Sequence, residues 1–96
     1  MNHFQSDEMK ILAFRKQVLY HTLHTHGISY YDAEKICRTF DNLGDVIVMQ
    51  QYTDEHRHAT LEELQSKAIA LARETKKIRL LKQQAADRNY RGLKVE

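Results

Sequence analysis

The chain has 96 residues, one-domain length, with no proline, no tryptophan, three glycines and a mean hydropathy of −0.67. That composition suits helices joined by short glycine-marked turns and disfavours a turn-rich β architecture. A single cysteine, Cys37, excludes an intramolecular disulfide and an all-cysteine metal site, and a lone thiol fits a reducing compartment. The polar stretch Met1 to Met9 lacks the apolar core of a signal peptide, and the longest apolar run, Val46 to Met49, is far short of a membrane span. The expectation is a soluble, cytoplasmic protein with no membrane association.

The net charge of +2 is unevenly spread. Residues 1–60 hold six Lys/Arg against eight Asp/Glu, and residues 61–96 hold nine against five. From Arg73 to Lys94 there are eight basic residues and two acidic ones, so a mildly acidic body carries a basic C-terminal arm.

Taken in order, a first helix is expected from about Asp7 to His26, with Ser6 as N-cap and Ile11, Leu12, Phe14, Val18, Leu19 and Leu23 as its apolar stripe. Gly27 marks its end, and Ile28 is placed to fold back on the last turn. Ser29 caps a second helix, with Asp32 completing a weaker capping box, and Ala33, Ile36, Cys37 and Phe40 form its buried face. Gly44 leaves two readings. It either stops that helix, with Asp45 capping a short third one, or sits inside a single helix reaching about Thr53. The β-branched run Val46-Ile47-Val48 has no partner strand, which favours the continuous helix. Thr60-Leu61-Glu62-Glu63 is a capping box in register with Leu61, Leu64, Ala68, Leu71, Thr75 and Ile78, a helix expected to end near Arg88. Residues 89–96 lack a period and read as a frayed basic tail. The fold expectation is one all-α domain over 1–96, an antiparallel bundle of three long helices, or four if Gly44 breaks the second.

On a helical wheel Arg73, Lys76 and Lys77 cluster opposite the apolar stripe, and Arg88 and Arg91 extend that face. Such a face neutralises phosphates without reading sequence, or is simply solvated. A helix-turn-helix around Asn42-Leu43-Gly44 fails on chemistry, since its recognition helix would be apolar and flanked by Asp45 and Asp54. Six histidines, at 3, 21, 24, 26, 56 and 58, do not converge on one site in this topology, so no metal is expected. Cys37 shares the apolar face with Ile36 and Phe40, as an inert buried thiol does. Tyr20, Tyr30, Tyr31, Tyr52 and Tyr90 read as half-buried core edges or interface anchors. No phosphate loop or catalytic carboxylate pair is present, so neither enzymatic activity nor a cofactor is expected.

The run Arg15, Val18, Leu19, Gly27, Ile28, Ser29, Ile36, Phe40, Asp41 and Leu43 resembles the small helical-hairpin phosphatases that act on sporulation response regulators. The shared traits are the length of the hairpin and a hydrophobic-Asp-x-Leu end to its second helix. The resemblance spans less than half the chain, and Cys37 and Arg38 stand where that family carries serine and glutamine, so it implies a hairpin and carries no activity over.

What remains is a protein-interaction module, a regulator, inhibitor or adaptor that docks a helical surface on another protein or on a second copy of itself. Ile69, Leu80 and Leu81 are its expected surface, because they lie off the core stripe of the last helix. The alternative is a nucleic-acid-associated protein that holds phosphate backbones through Arg73, Lys76, Lys77, Arg88 and Arg91.

Overall fold

The computed structural model describes residues 3–95 of the backbone and the side chains of residues 7–86. It is all-helical. Four helices pack together: α1 (His3–Thr25), α2 (Tyr30–Arg38), α3 (Leu43–Glu55) and α4 (Leu61–Val95). No described helix is long and apolar enough to cross a membrane.

Helix α1 starts before the expected cap, so Ser6 lies inside it. No glycine or proline precedes Ser6 to stop the helix from running back to His3. Its end is built as the sequence implies. Gly27 takes φ +95°, the Gly27 amide donates to the His24 carbonyl (3.0 Å), and the Ile28 amide donates to that of Leu23 (3.1 Å). That pair of bonds is a Schellman closure, and its apolar members Leu23 and Ile28 are both buried. His24 and His26 also close this end, their Nδ1 atoms donating to the Ile28 (3.0 Å) and Thr22 (2.7 Å) carbonyls.

Ser29 caps α2, its Oγ accepting from the Asp32 amide (3.2 Å), and Ala33, Ile36 and Cys37 face the core. The continuous second helix expected from the sequence is divided in two. The break falls at Thr39–Asn42, ahead of Gly44, and Asn42 rather than Asp45 caps the new helix. Asn42 Oδ1 accepts from the Asp45 amide (2.8 Å) while Asn42 Nδ2 donates to Asp45 Oδ2 (2.9 Å), a reciprocal box at the start of α3. The turn lets Phe40 reach the core, where it is 2% exposed. Gly44 therefore does not end a helix. It sits in the first turn of α3, where a Cβ would press on Asn42 Oδ1 at 3.3 Å, so its lack of a side chain leaves room for the cap.

The Thr60 box forms as expected: the Glu63 amide donates to Thr60 Oγ1 (3.2 Å) and the Thr60 amide to Glu63 Oε1 (3.2 Å). Helix α4 then runs past the expected end near Arg88 to Val95.

Helix α1 packs on α2 and α3, α4 packs on the same two helices, and α1 hardly meets α4. Among the described residues the core is Leu19 and Leu23 of α1, the α2 trio, Ile28, Phe40, Val46 and Met49, and only Leu64 and Ala68 of α4. At 1.5 Å per residue α4 is about 52 Å long, longer than the body it packs on. The radius of gyration, 17.0 Å, exceeds the roughly 13 Å of a compact chain of this size, and the long dimension is 59 Å.

Candidate interaction surface

Helix α4 is held against the body over its first half and then leaves it. Leu64 and Ala68 are buried, and Leu61, Leu71 and Thr75 are partly so. The last ties are polar. Thr75 Oγ1 donates to both carboxylate oxygens of buried Asp45 (2.7 and 2.8 Å), and Arg79 forks onto Asp41 (2.9 and 3.2 Å). Hydrogen bonds from Arg79 and from Asn42 hold the Asp41 carboxyl below the usual carboxylate range. From Lys76 to Ala86 every residue is exposed. The apolar stripe that the sequence carries to Ile78 thus stops short, because α3 begins only at Leu43, close to Asp45; Ile78 is 43% exposed.

The three surface residues expected from the sequence do not form one patch. Leu80 and Leu81 lie on the free half, 56% and 55% exposed, and as successive helical residues they point about 100° apart. Ile69 lies about 16 Å back along the helix. It lines a groove between α2 and α4 with Lys35, Ile36, Thr39, Gln65 and Ala68. Arg73, Lys76 and Lys77 are exposed near the point of departure, and among the described residues none of them bridges a carboxylate. Arg88 and Arg91 fall within α4, but their side chains lie outside the described ones.

Sequence reasoning missed an apolar surface on α1. Met9, Ile11 and Phe14 are exposed, Phe14 by 66%, although Ile11 and Phe14 belong to the expected core stripe. The stripe was in fact two. Leu12, Leu19 and Leu23 face inward, while Ile11, Phe14 and Val18 follow a second line at three- and four-residue steps. A stripe much wider than one α-helical face was the signal in the sequence.

Several other candidates have local partners, while the side chains of His3 and Tyr90 lie outside the described ones. Tyr30 stacks on His24 (centroids 3.6 Å apart) and on Tyr20 (5.3 Å) at the closed end of the α1–α2 hairpin. His56 Nδ1 donates to the Tyr52 carbonyl (2.8 Å) at the end of α3, and its ring stacks on Tyr52. Cys37 is buried, and burial pushes its thiol up to about 11, partly offset by Lys16. Both the raised pKa and the burial slow attack by this thiol, so Ellman's reagent is expected to modify the folded protein markedly more slowly than urea-unfolded protein; equal rates would show that Cys37 is open to solvent.

No protein-family model, curated protein or solved structure matches this chain. The geometry therefore defines a class only: a four-helix domain with one helix extended beyond its own core.

Proposed function

We propose that the chain is a non-catalytic protein-interaction module of the cytoplasm, a regulator, inhibitor or adaptor that docks on a partner protein through the free half of α4. One observation carries this reading: the run of exposure from Lys76 to Ala86 includes Leu80 and Leu81, on a stretch of helix that stands clear of the body beyond the Arg79–Asp41 pair. A helix that sets apolar side chains among lysines suits an apolar groove with an acidic rim on the partner. The buried thiol of Cys37 fits a reducing compartment.

The test uses a photo-crosslinking residue at Leu80, with Glu62 on the same helix as control, followed by Leu80→Asp. A discrete crosslinked protein is expected from position 80 and not from 62. Leu80→Asp is expected to stay within about 0.5 kcal/mol of the parent in stability and to lose the partner. A variant that melts would make Leu80 a core residue and remove the basis of this reading.

A second reading has the unbridged Arg73, Lys76 and Lys77 in its favour, with Arg88 and Arg91 further along the sequence: they would hold the phosphate backbone of a nucleic acid. Labelled duplex DNA is its probe. Binding that falls steeply between about 50 and 200 mM salt and is lost in an Arg73/Lys76/Lys77→Glu variant would place this reading ahead of the first.

A further inference from the structure

The body carries a groove that matches the free half of α4 in chemistry. It is about 430 Å³ and lies between the N-terminal half of α1 and the turn joining α2 to α3. Met9, Ile11, Leu12 and Leu43 give it an apolar floor, and Glu8 and Asp41 stand in its wall. Asp7, exposed and next to Glu8, adds a further acid nearby. On the free half of α4, Ile78, Leu81 and Ala85 recur at three- and four-residue steps and share one face. Lys77 and Lys82 flank that face, within a segment whose charge is overwhelmingly positive.

The helix cannot fill this groove in its own chain. Arg79 is bonded to Asp41, so α4 leaves the body at the edge of the groove. It then continues unbroken to Val95 and hardly meets α1. We propose that the groove receives the free half of α4 from a second copy of this chain, and that two copies exchange these helices reciprocally about a two-fold axis. The proposal rests on the reading that the free half of α4 is a docking element, and it names the occupant. A two-fold pairing requires that the element and its receptor be brought together by one rotation. Here both stand at the same end of the molecule, beside Asp41, so two copies meeting at that end present each helix to the other's groove. Asp41 is already paired with Arg79 of its own chain, so Glu8, with Asp7 nearby, is the acid that meets the basic helix in each half of the contact. A lone projecting helix of this length is marginal in water, and the groove supplies the apolar packing that holds most protein helices.

Sedimentation of the full chain from about 1 to 200 μM, at low salt, tests this. The parent is expected to reach twice its 11.4 kDa mass with rising concentration, and Leu81→Asp is expected to remain at the monomer mass. Glu8 and Lys82 are both exposed, so reversing either leaves the core untouched. Glu8→Lys and Lys82→Glu are each expected to weaken the dimer roughly fivefold, and the double variant to recover part of that loss. Circular dichroism melts of each variant must match the parent for its result to count. A parent that stays monomeric throughout, or a dimer that survives Leu81→Asp, overturns the proposal. Crosslinking of another protein at Leu80, on the other face of the helix, would meanwhile leave the proposed function standing.

Discussion

Leu64→Asp is expected to unfold the domain. Leu64 is 1% exposed and, among the described residues, is the largest α4 side chain in the core, which it joins with only Ala68 from that helix. Removing it forfeits about 2 kcal/mol of apolar burial, and the carboxylate that replaces it has no partner there, which costs several kcal/mol more. Small domains have about 5–15 kcal/mol in total, and a domain this small, with one helix half outside the body, sits toward the lower end. The expected result is loss of the cooperative melt by circular dichroism at 25 °C. An unchanged midpoint would mean that α4 does not pack through Leu64 at all. Leu80→Asp, the same substitution further along the same helix, is the built-in contrast, since only position decides between the two.

That contrast also shows where the sequence was legible. Helix ends set by local chemistry could be read directly: Gly27 with Ile28, Ser29 with Asp32, and Thr60 with Glu63 close their helices through bonds between residues a few positions apart. The division between α2 and α3 could not. Gly44 drew attention as the one breaker nearby, whereas the break is made by Phe40 turning inward and by Asn42 capping, and Phe40 fits a continuing helical stripe equally well. Periodicity reports which residues share a face of a helix and says nothing of whether a second helix is there to cover it. For that reason Ile78, in phase with Leu64 and Leu71, is exposed, and Ile11 and Phe14 are exposed beside a buried Leu19. The same gap governs the candidate surface. Leu80 and Leu81 are out of phase with the core and stand on the free half, but Ile69, equally out of phase and 47% exposed, lines the groove between α2 and α4 instead. The groove was invisible, since it is assembled from α1 and a turn some 30 positions apart.

Asp45→Ala should loosen α4 without dissolving the α1–α2 hairpin. Asp45 is 8% exposed, and its carboxylate gathers the Thr75 hydroxyl (2.7 and 2.8 Å) and the Asn42 amide (2.9 Å), joining the cap of α3 to the last partly buried turn of α4. Truncation leaves the Thr75 hydroxyl without its acceptor, leaves the Asn42 amide with Asp41 alone, and removes an acid from the positive end of α3, a loss of about 2–3 kcal/mol. Thr75→Val removes one donor alone and should cost less, about 1 kcal/mol. The two losses should not add: a double-mutant cycle is expected to show about 1 kcal/mol of coupling, and full additivity would mean that the Thr75–Asp45 bond contributes nothing. Hydrogen exchange separates this tie from the core. Amides from about Ala72 onward should exchange faster in Asp45→Ala, while those of Leu19, Leu23 and Ile36 keep their order of protection. Because this tie and the Arg79–Asp41 pair fix where α4 leaves the body, Asp45→Ala should also weaken any association made by the free half of the helix, with Leu80 and Leu81 themselves unaltered. A surface that binds only through exposed side chains would be indifferent to that change; one that depends on the angle at which the helix departs would not.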